Sequence, residues 1–529
     1  MLRRSFLAAL PAAASAAEPR VPVHGVFEHA IDDGPRDPST IVKVEIRGPS
    51  GAHHLLAFWD GGATWKFRFC PPRPGRYTFH IDMSPHSGSF RASGQAGKTD
   101  LDRHGPPVLS ASRRHFCHPD GKPWFFLSDT AWNGALLSTK DEWEDYLKAR
   151  AAQRFTAVQF VTTQWRAGRR DENGRVAFKV EQGRLTLDPA FFQRMDERVA
   201  AIRRHGLVPV PVMLWALTSR DKESPGATLD TALAIQLARY INARYAAFGV
   251  LWFLGGDGNY RGPNADRWKQ IGRAVFPPDL DRRPVSLHPG GMQDPWPALK
   301  DEPWLDFLAY QSGHGDSPAK WRWQIEKGLA EGWRLDPPRP VLDAEPDYEG
   351  HVAYDSRQVI SDSTVRRAVY SSLLSAPPAG ITYGAHGVWF WSRKAEVPLD
   401  HQGSGAALPW RDCLAYPGAA QMQILRSLFD RFPWWTLQPD LHMAAAHKPD
   451  AQFSNPIQCL RATGGKTALV YLPANPSFQL DLSAFPGKLK VEWLDPRTGA
   501  VTPGSPAPAQ ARVAFNTPGP GDWLLLLRA

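Results

Sequence analysis

The chain has 529 residues, 43% apolar and 22% charged, a balance that excludes disorder and a length that exceeds one ordinary domain. Its formal net charge is +9, but the Lys and Arg residues are scattered and form no run, so nucleic-acid binding is not indicated. The 21 Trp residues are a surplus that serves a core or supplies flat apolar platforms.

At the N-terminus Arg3 and Arg4 precede the apolar stretch Phe6–Leu10, and Ala-rich sequence runs on to Ala14-Ser15-Ala16. A charged region, a short apolar region and a small-residue cleavage site predict a signal peptide over 1–17, with a periplasmic or secreted mature protein. Arg3-Arg4-Ser5-Phe6-Leu7 also looks like a twin-arginine signal. No later run approaches the ~20 apolar residues of a spanning helix, so stable membrane insertion is not expected.

Residues 18–105 read as a small Ig-like β-sandwich. Ile41–Ile46, Trp65–Phe69 and Tyr77–Ile81 alternate with period two, and Pro72-Arg73-Pro74-Gly75 is a turn between the last two. Ser87–Gly105, rich in Ser, Gly and charge, reads as a linker. From about Pro123 apolar strands alternate with amphipathic helices, the pattern of parallel βα units. The strands are Trp124–Leu127, Thr156–Val161, Leu207–Leu214, Val250–Leu254, Pro284–Leu287, Leu305–Tyr310, Pro340–Leu342 and Ile381–Phe390. Helices are expected at Asp141–Gln153, Pro189–His205, Leu229–Ala246, Ala265–Val275, Ala319–Leu329, Asp362–Leu374 and Ala419–Phe432. Eight units close a (β/α)8 TIM barrel over 106–433. The unit after strand five is the weakest, because Pro295 and Pro297 leave little room for a helix. Residues 434–529 return to strands, clearest at Thr467–Tyr471, Leu489–Trp493 and Trp523–Leu527, with Asp495-Pro496-Arg497-Thr498-Gly499 as a turn. A second β-sandwich is expected there, giving a multidomain chain with the barrel in the centre.

In such barrels the chemistry lies at the C-terminal ends of the strands. Strand one leads to Ser128-Asp129-Thr130-Ala131-Trp132. Strand two carries Gln159 and leads to Gln164-Trp165, and strand three gives Trp215. Strand four gives Gly255-Gly256-Asp257-Gly258-Asn259, strand five His288-Pro289, strand six Gln311-Ser312-Gly313-His314. Strand seven gives Asp343-Ala344-Glu345-Pro346-Asp347-Tyr348-Glu349, and strand eight His386, Trp389 and Trp391. Polar groups at every strand end suit a site better than a core, where each needs a partner.

Cleavage of a glycosidic bond uses two carboxyl groups, one protonated for the leaving oxygen and one ionised. Strands four and seven lie on roughly opposite sides of a barrel mouth, so Asp257 and Glu345 are the best pair. The glycines beside Asp257 allow close backbone approach to a ligand, and equally suit a plain tight turn. Glu349 competes with Glu345. Asp343, at the end of its strand, is expected to point sideways, and Asp129 to hold sugar hydroxyls or orient another residue. Trp132, Trp165, Trp215, Trp389 and Trp391 are stacking candidates, and Gln159, Asn259, His288, Gln311 and His314 are hydroxyl-binding candidates. His288 and His314 lack a local zinc-ligand spacing, Cys70, Cys117, Cys413 and Cys459 share no CxxC spacing, and HExxH and GxSxG motifs are absent, so no metal or cofactor is implied. Gly464-Gly465-Lys466-Thr467 lacks the first glycine of a phosphate loop, since Leu460 stands there. The expected partner is an oligo- or polysaccharide. An Arg-rich background accounts for the net charge, which would also attract a uronate-containing polymer.

Taken together, Ser128-Asp129-Thr130-Ala131-Trp132, Gly255–Asn259, His288-Pro289, Gln311–His314, Glu345–Gly350 and Gly387-Val388-Trp389 resemble the apiosidase-like glycoside hydrolases, a family 140-like barrel, over roughly 110–432. The N-terminal sandwich is similar to the domain of unknown function that precedes such barrels, and the C-terminal segment to a module named for collagen binding. The resemblance implies a retaining hydrolase with Asp257 as acid/base and Glu345 as nucleophile, and a characterised activity of releasing apiose from pectin side chains. Strand one begins Ser-Asp where Gly-Asp is the family pattern. The alternative is a barrel without activity whose sandwiches bind sugars or act as a scaffold; the presence of both carboxylates argues against it.

Overall fold

The computed structural model describes residues 18–83, 86–94, 97–216 and 221–529; the expected signal peptide lies outside them. The first sandwich packs a five-stranded sheet, in the order 20–22, 87–93, 75–81, 43–48 and 51–56, on a three-stranded sheet of 27–31, 64–69 and 58–61. Alternating inward aromatics form its core, with Phe27 stacked on Phe90 at 3.9 Å and Tyr77 on Phe90 at 5.2 Å. Most of the segment read as a linker lies in regular elements. Ser87–Ser93 is a strand whose Phe90 and Ala92 alternate inward, and Asp100–His104 is a helix with a Thr99/Asp102 capping box and a buried Leu101. Its polar residues misled because they belong to the outer face of a strand and to a helix cap.

The central sheet has eight parallel strands: β1 (Phe126–Thr130), β2 (Ala157–Val161), β3 (Val208–Trp215), β4 (Trp252–Gly256), β5 (Val285–Ser286), β6 (Leu308–Tyr310), β7 (Val341–Asp343) and β8 (Gly380–Gly384). They pair in the order β5-β4-β3-β2-β1-β8-β7-β6. Between β5 and β6 the ladder is replaced by Asp306 N–H to Val285 O (2.8 Å), Val285 N–H to the Asp306 carboxylate (3.1 Å) and Ala309 N–H to Ser286 Oγ (3.3 Å). This seam is where the proline-rich unit leaves a two-residue strand and a helix of only Trp296–Leu299.

Among the strand boundaries that differ from the sequence expectation, two bear on the site. Pro123–Trp124 joins a small antiparallel sheet with 108–109 and 116–117, so β1 starts two residues later and ends three residues later than expected, and Asp129 lies within it. The apolar run to Phe390 is not one strand: the chain leaves β8 at Gly384 and turns into the helix His386–Phe390, which ends where Trp391 takes a left-handed φ of 64°. An apolar run has no periodicity that separates a buried strand from a buried helix.

Helices Lys140–Ala152, Pro189–Arg204, Thr231–Tyr245, Pro263–Val275, Asp362–Leu373 and Pro417–Phe429 surround the sheet. Thr139 and Asp188 cap the first two with their side chains. The N-terminal sandwich docks through buried ion pairs, Arg244 with Asp60 (2.8 Å) and Arg68 with Asp196 (2.7 Å). The C-terminal six-stranded sheet turns Leu469, Tyr471 and Leu524 toward the barrel core and Val470, Trp493 and Leu525 toward its own. Tyr370 stacks on Tyr471 at 5.1 Å, and Arg366 grips Asp522 with two bonds of 2.7 Å. All four cysteines are free thiols and buried.

Candidate active site

At the end of β4 the backbone is forced close to its neighbours. A Cβ on Gly255 would stand 2.6 Å from the Tyr260 hydroxyl and 2.7 Å from the Trp268 ring, so only glycine fits. The next turn places Asp257 at a φ of 47°, a left-handed conformation that Asp tolerates better than most residues. Gly258 and Gly290 brace this turn against the β5 exit through Gly258 N–H to His288 O (3.3 Å) and Gly290 N–H to Gly258 O (3.0 Å). The result is a half-buried carboxylate at the pocket wall.

At the end of β7, main-chain and side-chain bonds hold Glu345. Gln159 donates to Ala344 O at 2.8 Å and to Thr130 Oγ1 at 2.7 Å, and Gly313 N–H donates to Glu345 O at 3.0 Å. His314 Nε2 lies 3.1 Å from Glu345 Oε1, and His288 Nε2 lies 3.3 Å from Oε2. Both carboxylates open on one cavity of about 410 Å³, lined on its apolar side by Trp132, Trp165, Trp215 and Trp389. Trp165 and Trp132 pack on Trp215 with ring centres 4.3 and 5.1 Å away.

The two carboxyl groups are perturbed in opposite directions. Burial, followed by the charge of Glu345, pushes Asp257 well above the ordinary carboxylate range. Burial pushes Glu345 upward too, but the hydrogen bond from His314 and the positive character of His288 and His314 outweigh it and hold Glu345 low. The surroundings therefore favour the proton on Asp257 over one on Glu345.

Of the residues singled out in the sequence, Trp132, Trp165, Trp215, Asp257, Gln311, His314, Glu345 and Trp389 line the cavity. His288 stands behind Glu345 and is fully buried. The others do not line the cavity. Asp129 is on the outer face of β1, where Arg150 Nε and the Tyr146 hydroxyl both donate to its Oδ2 at 2.7 Å. Gln159 lies under the floor. Asn259 is exposed and accepts the N–H of Arg261 at 3.1 Å within its own turn. Glu349 accepts from the Tyr383 hydroxyl at 2.7 Å and Gly418 N–H at 3.0 Å, and burial raises it to about 7. Trp391 stacks on Trp410 at 4.6 Å.

The cavity also contains Tyr348, which the sequence placed in the strand-seven motif without a role, and residues the sequence did not mark: Arg166, His351, Tyr354 and His401. Arg166 lies 2.7 Å from His401 Nε2, and the other nitrogen of that ring lies 2.8 Å from Leu399 O. These residues sit on loops after β2, β7 and β8, outside any periodic segment. Position just past an aromatic strand-end residue was the one available cue, and only for Arg166. Among the described residues no group of three or more His, Cys, Asp and Glu has a metal-binding arrangement, and no helix is long and apolar enough to cross a membrane.

No curated protein sequence matches the chain. Solved structures similar to it include a protein titled glycoside hydrolase, at 21% identity and a TM-score of 0.69, covering 82% of this chain and 98% of that one. A glycoside hydrolase family 5 protein from Bacteroides vulgatus ATCC 8482 is similar at 20% identity and a TM-score of 0.69, covering 82% of this chain and 95% of that one. At these identities the likeness concerns the fold. The C-terminal segment 439–528 matches the family described as "Putative collagen-binding domain of a collagenase". Residues 110–436, more than half of the chain, match the family described as "Apiosidase-like, catalytic domain". The protein is thus a glycoside hydrolase, and its chain belongs to the apiosidase-like family.

Proposed function

We propose that the chain hydrolyses glycosidic bonds with retention of configuration, with Asp257 as acid/base and Glu345 as nucleophile. The observation that carries this reading is the opposite perturbation of two carboxyl groups on one cavity, Asp257 kept protonated and Glu345 kept ionised. Environments that push paired carboxyl groups apart in this way assign the acid and the anion. In the first step Glu345 Oε attacks the anomeric carbon, the glycosidic C–O bond breaks, and the Asp257 proton goes to the leaving oxygen. In the second, Asp257, now a carboxylate, takes a proton from water, whose oxygen displaces Glu345 from the anomeric carbon. Trp132, Trp165, Trp215 and Trp389 offer faces for a sugar ring, and Gln311 offers an amide for its hydroxyls.

The family description supports a side-chain sugar of a plant or microbial polysaccharide as substrate, with apiose on pectin as the leading candidate. Because such polymers lie outside the cell, the reading includes export by the Arg3-Arg4 signal and cleavage near Ala16 or Ala17. N-terminal sequencing of material from the producing cell tests that part; an intact Met1 in the cytoplasmic fraction would refute it. The catalytic reading is tested by turnover on a panel of pectin, hemicellulose and aryl glycoside substrates, with the anomer first released read by NMR. Release of the retained anomer is expected. Release of the inverted anomer would mean that water, not Glu345, attacks.

A further inference from the structure

Two residues before Glu345, the side chain of Asp343 takes no part in the cavity and is fully buried. Its Oδ1 accepts the main-chain N–H of Ser312 at 3.2 Å and that of Glu345 at 3.3 Å, and its Oδ2 accepts the hydroxyl of Ser372 at 2.7 Å. Ser372 belongs to the helix Asp362–Leu373, which packs behind β7 and β8. One carboxyl group therefore joins three elements: the exit of β6, the exit of β7 and the helix outside them. Gly313 N–H closes the same link from the other direction, donating to Glu345 O at 3.0 Å.

The residues so joined are the ones whose relative position matters. His314, two residues after Ser312, is the imidazole 3.1 Å from Glu345 Oε1. Beside the direct bond from Gly313 N–H to Glu345 O, Asp343 Oδ1 is the acceptor that Ser312 N–H and Glu345 N–H share. Lys320 is committed to Asp347 at 2.7 Å, and no cation is paired with Asp343 among the described residues. A buried carboxyl group satisfied only by neutral donors is a costly way to fill space, and burial indeed raises its affinity for a proton. An apolar side chain would fill the volume at less cost but would leave two main-chain N–H groups without an acceptor.

We propose that Asp343 is a positioning residue for the nucleophile: it holds the β6 and β7 exits in the register in which His314 meets Glu345. The proposal rests on the assignment of Glu345 as nucleophile. Loss of the shared acceptor leaves Ser312 N–H and Glu345 N–H unpaired and loosens the two exits beyond the β6–β7 ladder, where the Gly313–Glu345 bond alone remains between them; a displacement of ~1 Å at a reacting group costs about 100-fold in rate.

The test compares Asp343→Ala, Asp343→Asn and Ser372→Ala in the full chain on an aryl glycoside, each checked for folding by circular dichroism. Asp343→Ala should lower kcat about 100-fold while KM stays within about threefold, because substrate contacts are untouched. Asp343→Asn keeps an acceptor oxygen for both N–H groups and should restore kcat to within about fivefold of wild type. In a His314→Ala background the same Asp343→Ala change should cost less than about fivefold, since the alignment it protects is already gone. Wild-type kcat in folded Asp343→Ala overturns the proposal, as does equal loss in the Asn variant or an undiminished loss in the His314→Ala background. If Asp343→Ala does not fold, Ser372→Ala releases the outer anchor alone and should lower kcat by roughly fivefold at constant KM; unchanged kcat there also overturns it. Near-normal turnover by Glu345→Gln would instead overturn the nucleophile assignment, whatever the Asp343 variants do.

Discussion

Two sets of carboxyl groups sit at the same end of the barrel in unlike surroundings. Asp129 and Glu349 occupy the β1–β8 side and face the helices. Asp129 is clasped by Arg150 and Tyr146, Glu349 by Tyr383 and Gly418 N–H, and the Arg150 guanidinium lies 5.6 Å from the Tyr383 ring centre, so the two form one block. Asp257 and Glu345 occupy the cavity instead. No hydrogen bond reaches the Asp257 carboxylate among the described residues, and Glu345 meets the His314 and His288 imidazoles and the Tyr348 hydroxyl but no guanidinium or ammonium. The lesson is that burial and a strand-end position do not by themselves make a reagent. A carboxylate committed to a guanidinium and hydroxyls is a strut, and one left facing an aromatic-walled cavity keeps its chemistry available.

The sharpest way to break this comparison is to neutralise each Glu of the seventh unit. Glu345→Gln should lower kcat by about 10⁴-fold or more on every substrate, because no covalent intermediate can form. Glu349→Gln should stay within about threefold of wild type, a surface-substitution-like response in rate at a group outside the cavity. The reverse pattern in steady-state kinetics would exchange their roles. Next in size is Asp257→Ala. Natural glycosides, whose leaving groups need a proton, should lose about 10²–10⁴-fold, whereas the first step on aryl glycosides with good leaving groups should be spared. Under the proposed roles, wild-type activity needs Glu345 ionised and Asp257 protonated. The acid limb of kcat/KM thus follows the lowered Glu345 and the basic limb the raised Asp257. The basic limb should vanish in Asp257→Ala.

The strut side should respond in stability rather than in rate. Asp129→Ala leaves Arg150 fully buried without its carboxylate, at a cost of about 3–5 kcal/mol in chemical denaturation, while kcat per folded molecule stays unchanged. The smallest expected effect is a pH dependence. Burial raises Glu349 from 4.5 to about 7, so the folded state holds a proton that the unfolded state has released. Its stabilising contribution is complete below pH 4.5 and is lost as pH rises through 7. The melting temperature of the wild type should carry this decline, and Glu349→Gln should flatten it. An identical pH profile in the variant would show that Glu349 is ionised in the fold.

The eight strands were legible because each is a short apolar run bounded by polar or glycine-rich sequence. The strand-end rule then delivered Asp257 and Glu345 together with four of the five tryptophans that were candidates for stacking. Which side of a strand a residue faces was not legible. In a sandwich strand such as Gly75–Ile81 the exposed and buried positions alternate, and the sequence shows it; β1, β2 and β4 are buried at every position, so hydropathy carries no alternation to read. Asp129 and Trp391 were therefore placed in the site on sequence grounds and lie in the wall. Arg166, Tyr354 and His401 were missed for a related reason: they come from loops, where neither periodicity nor spacing marks a residue for the cavity.

By itself the sequence determined the order of the units, the number of barrel strands and the presence of carboxylates at two opposed strand ends, because these follow from local hydropathy and turn chemistry. Only the tertiary structure decided what each carboxylate meets. Arg150 reaches Asp129 because the helix Lys140–Ala152 packs outside β1, and His314 reaches Glu345 because β6 lies beside β7. The same side-chain type becomes a strut in one place and a carboxyl group facing the cavity in the other, with a proton affinity set by burial and by charges brought near through folding, not by its neighbours in the chain.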